Sequence, residues 1–249
     1  MTGLPTAAPT EPPTKPETGP QPGSAAVAPA ARIPGAAPTA LIVDWGGVLT
    51  SPLDSAIAGW LDAEGIERDA YVRAMRDFRD PELIALNDFD PIAALEKGEL
   101  RVDRFEQLLA ERISAYAPGE VPADGLLGRM FAGFAGEPTM VNVVRRAKSA
   151  GLKTALLSNS WGNEYLREDW DAIFDAVVIS GEVGMRKPEP EIYRHTLGLL
   201  GTEAQAAVFV DDLPTNVRGA TAVGIIGVHH RSFEETRTEL EALFGLELS

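Results

Sequence analysis

LIVDWGGVLT, residues 41–50, joins an aliphatic run to a single carboxylate, Asp44, and then to a pair of glycines. A run that is almost wholly aliphatic is typical of a central strand covered on both faces of a parallel sheet. In an open parallel sheet, the functional crevice lies outside the carboxyl ends of the strands. The sequence therefore predicts that Asp44 lies in such a crevice.

Three further stretches place polar groups beyond apolar runs that have the character of strands. Ser158 and Asn159 follow residues 155–157, Lys187 lies a few residues beyond 176–179, and Asp211 and Asp212 follow 208–210. Because the strand ends of one sheet converge, groups that are far apart in the sequence can meet there. A candidate carboxylate nucleophile, a hydroxyl–amide pair, a cation and an acidic pair form a set suited to transferring a phosphoryl group.

The order of strands and helices predicts an α/β fold with a Rossmann-like, mostly parallel sheet. Strands are predicted at 40–44, 153–157, 176–180, 207–210 and 225–229, and core helices at 139–149, 190–200, 215–223 and 233–244. Between these, the apolar spacing is helical at 55–63, 70–79, 91–96 and 101–117. We therefore predict a core of residues 39–52 and 136–249, into which residues 53–135 are inserted after the first strand as a helical cap. Residues 96–99, EKGE, are interpreted as a solvated turn of that cap.

Composition limits the partners of this chain of 249 residues. Its formal net charge of −15 argues against a nucleic acid partner and against docking on anionic membranes. No apolar stretch approaches the roughly 20 residues of a membrane helix. The absence of cysteine excludes disulfides and thiolate metal sites and fits a cytoplasmic location. Residues 1–38 are rich in proline and alanine and are predicted to be a disordered tail.

The four stretches, in this order, resemble the haloacid dehalogenase superfamily, whose members are mostly phosphatases. The resemblance rests on LIVDWGGVLT, TALLSNS (154–160), GMRKPEPEIY (184–193) and VFVDDLPTNVRGA (208–220), and it covers roughly residues 40–249. It implies a core of the kind described above, with a mobile helical cap over the active site. The substrate would be a small phosphorylated molecule; the sequence specifies no oligomeric state.

The resemblance also implies roles for individual residues. Asp44 would be the catalytic nucleophile that forms an aspartyl phosphate. Ser158 and the backbone of Asn159 would bind the phosphoryl oxygens, and Lys187 would neutralise charge on nucleophile and phosphate.

A magnesium site is implied by the same resemblance. Asp44, the backbone carbonyl of Gly46 and Asp212 would hold Mg²⁺, a cation that prefers oxygen ligands. Asp211 would support them, because the second Asp of such a pair is the usual ligand.

Gly46 departs from the family pattern. Phosphatases of this superfamily usually carry a second Asp two residues after the nucleophile, which protonates the leaving oxygen and later activates water. A glycine cannot supply that proton, a contribution of about 10²–10⁴ in rate. The "GGV" form resembles a variant branch related to sugar-phosphate phosphatases and to the amino-terminal domain of epoxide hydrolases.

Three interpretations of Gly46 follow. The chain is a phosphatase that takes its proton from elsewhere, such as Asp54, water or the cap; it is a catalytically weak binding or regulatory protein; or it is a 2-haloacid dehalogenase, since expelling halide needs no acid. The acidic pair Asp211–Asp212 weighs against the dehalogenase, which uses no metal.

Overall fold

The computed structural model describes residues 37–162, 165 and 167–248. The prediction of a disordered tail concerns residues that, apart from 37 and 38, lie outside this part of the chain.

The core is a five-stranded, fully parallel sheet with the strand order β3-β2-β1-β4-β5. The strands are β1 (Ala40–Val43), β2 (Lys153–Ser158), β3 (Ala176–Ile179), β4 (Ala207–Asp211) and β5 (Ile226–His229). All five strands were predicted, and each bound lies within one residue of the expected one. The α/β class and the Rossmann-like arrangement are confirmed.

The first strand occupies the centre of the sheet because its side chains are apolar on both faces. All four residues of β1 are fully buried. Leu41 and Val43 pack into one hydrophobic cluster, whereas Ala40 and Ile42 pack into another on the opposite face. This is the arrangement expected of a strand with helices on both sides.

Twelve α-helices accompany the sheet in the described part of the chain. They are α1 (Leu53–Glu64), α2 (Arg68–Phe78), α3 (Pro81–Asn87), α4 (Pro91–Glu96), α5 (Val102–Ser114), α6 (Leu126–Phe131), α7 (Pro138–Ser149), α8 (Trp170–Ile173), α9 (Ser180–Val183), α10 (Pro190–Leu200), α11 (Pro214–Ala222) and α12 (Phe233–Phe244). Helices α7, α8 and α12 cover one face of the sheet, and α10 and α11 cover the other. The sequence did not predict α3, α6, α8 and α9, which are all shorter than eight residues.

Residues 53–135, here called the insertion, contain only helices and have a hydrophobic core of their own. Its sixteen buried residues run from Trp60 to Met130 and are separate from the two clusters that flank the sheet. The chain enters and leaves the insertion at one place, where Thr50 and Gly136 form an antiparallel bridge. The backbone N–H of Ser51 donates to the carbonyl of Ala135 at 2.7 Å. The insertion therefore begins directly beyond β1, beside the carboxyl edge of the sheet.

Within the described residues, no helix combines the length and the apolar character needed to cross a membrane.

Candidate active site

Asp44 follows β1 at the carboxyl edge of the sheet and is 7% exposed. Its backbone N–H donates to the carbonyl of Val210 at 2.9 Å, so the pairing of β1 with β4 fixes the residue. The Oδ1 atom accepts a hydrogen bond from the N–H of Trp45 at 2.7 Å and lies 2.7 Å from Nζ of Lys187. Neither of these two contacts engages Oδ2, the second oxygen of the carboxylate.

Lys187 places a cation in the interior, between two carboxylates. Its side chain is 1% exposed, and Nζ lies 2.7 Å from Asp44 and 2.7 Å from Oδ2 of Asp211. The ammonium group also lies 5.5 Å from the centre of the Phe209 ring. Burial alone lowers the pKa of Lys187, but Asp211 and Asp44 together raise it above its ordinary value. The ammonium group therefore stays charged at neutral pH.

Asp211, the last residue of β4, is fully buried, and both of its carboxylate oxygens accept hydrogen bonds. Oδ1 accepts from the N–H of Leu213 at 2.8 Å and from Nδ2 of Asn216 at 3.1 Å. Oδ2 accepts from Asn216 at 3.1 Å and from Lys187 at 2.7 Å. Asp211 therefore holds the ammonium group of Lys187 and the side chain of Asn216 in fixed positions.

Asp212 completes a group of three carboxylates. One oxygen each from Asp44, Asp211 and Asp212 lies within 4.8 Å of the others. Burial and the neighbouring Asp211 raise the pKa of Asp212 to about 6, and burial raises the pKa of Asp44 to about 7 despite Lys187. The ammonium group of Lys187 contacts two of these three carboxylates, Asp44 and Asp211. A set of closely spaced carboxylate oxygens with uncompensated negative charge fits the preferences of Mg²⁺.

The two glycines after Asp44 have different surroundings. Gly47 has φ +71°, and a Cβ built there would lie 2.4 Å from Oδ2 of Asp212. A Cβ on Gly46 would meet no heavy atom within 4 Å, and its φ is not positive. Gly47 is therefore required by the backbone and by Asp212, whereas Gly46 leaves room for a side chain.

Ser158 ends β2, beside β1 in the sheet, and is 3% exposed. Its hydroxyl lies 2.9 Å from the hydroxyl of Tyr165. The Tyr165 ring packs edge-on against Trp45, the residue after the candidate nucleophile, with ring centres 5.7 Å apart. Tyr165 thus links the hydroxyl at the end of β2 to the turn that begins at Asp44.

Asn159 uses its side chain to hold the backbone of Lys187. Its Oδ1 accepts from the N–H of Lys187 at 2.9 Å, and its Nδ2 donates to the carbonyl of Lys187 at 3.0 Å. The same Nδ2 donates to Glu96 at 3.1 Å. The predicted role of Asn159, a phosphate contact through its backbone, remains a proposal, and the structure adds this second engagement of its side chain.

Glu96 is where the sequence interpretation was wrong. The turn 96–99 was expected to be solvated, but Glu96 is 6% exposed, and only the last residues of the turn reach solvent. The contacts that bury its carboxylate come from residues 63 to 90 positions away in the sequence. The local sequence of the insertion therefore could not predict these partners.

The site residues that the sequence predicted lie together in one region of the structure. Asp44, Lys187, Asp211 and Asp212 are joined by the contacts given above, Gly46 lies in the turn after Asp44, and Ser158 and Asn159 lie at the end of the neighbouring strand. Asp54, considered as a proton source, is exposed in the first turn of α1. Sequence reasoning missed the roles of Tyr165 and Glu96.

Comparison with known proteins yields one family and several more distant likenesses. The family model of the haloacid dehalogenase-like hydrolases matches residues 38–224. A mouse protein, acyl-CoA dehydrogenase family member 10, is 29% identical over 84% of this chain, but the match spans 19% of the mouse protein. The sesquiterpene phosphatase astK of Aspergillus oryzae is 37% identical over 43% of this chain and 56% of its own length. The chain thus spans less than two thirds of each of these relatives.

A solved structure supports the fold. A haloacid dehalogenase family enzyme from Bacteroides thetaiotaomicron, in a magnesium complex, covers 78% of this chain and 94% of its own with a TM-score of 0.52. At 20% sequence identity, this likeness concerns the fold alone.

The difference between the glycines yields a stability prediction. Gly47→Ala should lower the free energy of unfolding by about 1–2 kcal/mol, because an L side chain is strained at positive φ. The contact with Asp212 should add to this loss. Gly46→Ala should leave the free energy unchanged or raise it by up to about 1 kcal/mol. Urea denaturation measures both values; equal losses would contradict the geometry.

The carboxylate cluster yields a prediction about pH. Carboxyl groups whose folded-state pKa is raised contribute stability that is present below about pH 4 and lost as the pH rises through 6 to 7. In excess chelator at pH 8, Asp212→Asn should therefore melt above the wild type, by about 2–4 °C for each kcal/mol regained. The difference should shrink at pH 5.

The control for this prediction is Glu239→Gln, an equal change of charge at an exposed position of α12. It should shift the melting temperature little at either pH. An Asp212→Asn variant that melts below the wild type in chelator at pH 8 would show that charge crowding does not dominate the cluster.

Proposed function

The chain belongs to the haloacid dehalogenase-like hydrolases, and from that premise we propose that it is a Mg²⁺-dependent phosphatase of small phosphorylated metabolites. The reaction would proceed through an aspartyl phosphate on Asp44. The proposal depends chiefly on one group of side chains at the carboxyl edge of the sheet: three carboxylates lie close together, and a buried ammonium contacts two of them. The similarity to a fungal sesquiterpene phosphatase supports the same reaction type.

Asp44 is the proposed nucleophile. Its Oδ1 is held by the N–H of Trp45 and by Lys187, so Oδ2 is the oxygen we assign to the attack on phosphorus. The P–O bond to the leaving group breaks as the Asp44–phosphorus bond forms, and the departing alkoxide takes its proton from water, because Gly46 has no acid to supply it. Water then attacks the phosphorus of the acyl phosphate, which releases inorganic phosphate and returns the free carboxylate.

The phosphoryl group would be held by fixed donors. Ser158 carries a hydroxyl oriented by Tyr165, and Lys187 carries a charge fixed by Asp44 and Asp211. Donors that are already aimed stabilise the transition state without reorganising during the reaction.

Asp44, Asp212 and the backbone carbonyl of Gly46 are the proposed magnesium ligands. When bound, Mg²⁺ supplies positive charge that offsets the repulsion between an anionic nucleophile and a phosphate dianion. Asp211 is assigned the supporting role, because four hydrogen bonds already engage its oxygens. A solved structure of the same fold has been obtained as a magnesium complex, which agrees with this proposal.

The insertion is proposed as the cap that selects the substrate. It begins immediately beyond the turn that follows Asp44, and it has its own hydrophobic core. A second helical unit beside the crevice can exclude water and recognise the leaving group.

The first functional prediction concerns the nucleophile. Asp44→Asn should keep the fold and lose turnover of p-nitrophenyl phosphate, because the amide cannot form an acyl phosphate. Asp212→Asn should lower turnover at limiting Mg²⁺, and excess chelator should stop the wild type. Phosphate release is the measurement, with circular dichroism as the control for folding. Undiminished turnover by Asp44→Asn, or in chelator, would eliminate the mechanism.

A second prediction concerns the missing acid at Gly46. The wild type should favour substrates with good leaving groups, such as aryl or acyl phosphates, over alkyl phosphates. Because a Cβ at Gly46 meets no atom within 4 Å, Gly46→Asp should fold and raise turnover mainly for alkyl phosphates.

The control for that prediction is Gly46→Ala, which adds a Cβ but no acid. A folded Gly46→Asp variant with no gain on any substrate, beside a wild type that already cleaves alkyl phosphates well, would mean that another group supplies the proton. Asp54→Asn would then be the next variant to measure.

A further inference from the structure

Glu96 joins the insertion to the core through a buried carboxylate. It is the last residue of α4 and is 6% exposed. Its Oε1 accepts from Nε1 of Trp161 at 2.8 Å, and its Oε2 accepts from Nδ2 of Asn159 at 3.1 Å. The Nε atom of Arg186 lies 2.6 Å from the same Oε2. All three partners belong to the core, so this carboxylate is satisfied entirely from across the boundary.

Burying Glu96 has a cost that these partners must offset. Burial raises its pKa above the ordinary value of a glutamate, and the nearby Arg186 opposes that shift. A buried charge that loses its partner strongly destabilises a protein, because nothing then offsets the free energy of removing that charge from water. The Glu96 carboxylate therefore keeps its polar contacts only while the insertion is packed against the core.

Two of the partners lead directly to Lys187. Both N–H bonds of the Asn159 amide are used, one toward Glu96 and one toward the carbonyl of Lys187. The Oδ1 of the same amide accepts from the N–H of Lys187. Arg186, the other partner, is the residue before Lys187 in the chain. Glu96 thus restrains the segment that carries the ammonium group from two sides.

We propose that Glu96 is a positioning residue: contact of α4 with the core sets Asn159 and Arg186, and these aim the ammonium of Lys187 at Asp44. The consequence for catalysis rests on the phosphatase function proposed above. Docking of the insertion and assembly of the site would then be one event, since the same carboxylate serves both.

A second ion pair between the insertion and the core allows the positioning role of Glu96 to be distinguished from a general role in docking. Lys97, the next residue, lies 2.8 Å from Glu189 of the core, and the two side chains are 24% and 36% exposed. This pair joins the same two parts of the protein, yet the contact between Lys97 and Glu189 does not involve Asn159. Loss of the Lys97–Glu189 pair should weaken docking while leaving the aim of Lys187 intact.

The experiment compares three variants of the full chain. Glu96→Gln removes the charge in an equal volume, and Lys97→Met removes the neighbouring ion pair. Glu99→Gln makes the same charge change as Glu96→Gln at an exposed position of the same turn. If Glu96→Gln fails to fold, Glu96→Asp, which keeps the charge but withdraws the carboxylate, replaces it.

The first measurement is hydrogen exchange of the Lys187 amide, which is independent of activity. In Glu96→Gln this amide should exchange at least about tenfold faster than in the wild type, because its acceptor Asn159 loses its anchor. Glu99→Gln and Lys97→Met should exchange like the wild type at this amide. Unchanged exchange in folded Glu96→Gln would overturn the proposal.

The second measurement is turnover of p-nitrophenyl phosphate in saturating Mg²⁺. Glu96→Gln should lower kcat at least about tenfold, since a misplacement of about 1 Å can cost 10²-fold, and should change KM less. Lys97→Met should act mainly on KM. Equal losses of kcat in the two variants would reduce Glu96 to a docking residue and overturn its positioning role. A wild type without turnover would instead overturn the phosphatase proposal, and the exchange result would still decide whether Glu96 positions Lys187.

Discussion

The buried ammonium of Lys187, at 2.7 Å from both Asp44 and Asp211, is the interaction on which the rest of the site depends. A charge in the interior persists only if its partners are close and are themselves fixed. Asp211 is fixed by Leu213 and Asn216, and the backbone of Lys187 is fixed by Asn159. The ammonium group therefore joins Asp44, which follows β1, to Asp211 at the end of β4. The residue that holds the backbone of Lys187 follows β2.

The parallel sheet makes this arrangement possible. Strand β1 lies between β2 and β4, so Asp44 emerges between the ends of the strands that carry Ser158 and Asp211. An insertion that starts just beyond Asp44 can return a helix to the same edge, and α4 does so through Glu96. One edge of the sheet thus brings together the nucleophile, the phosphoryl donors and the contact with the insertion.

Much of this could be predicted from the sequence, because the decisive signals are local. An aliphatic run followed by Asp44, or by Asp211–Asp212, is readable within ten residues, and the five strands lie where their apolar runs predict. Other contacts could not be predicted in this way, because they depend on partners that only the fold brings close. These are the contacts made by Glu96, Asn216 and Tyr165. The turn 96–99 is polar in composition and was therefore misinterpreted as solvated. The contrast between Gly46 and Gly47 likewise needs coordinates, because only the fold places Asp212 against one of them.

If Asp44 becomes phosphorylated during turnover, the aspartyl phosphate can be trapped chemically and located in the chain. The enzyme would be quenched with acid while it hydrolyses an aryl phosphate in Mg²⁺, treated with borohydride to reduce the acyl phosphate, and digested for mass spectrometry. Asp44 alone should be reduced to homoserine, and only when substrate and Mg²⁺ are both present. Full turnover with Asp44 unmodified, under quenching conditions that preserve a control aspartyl phosphate, would rule out Asp44 as the nucleophile. Reduction at another carboxylate would rule it out as well.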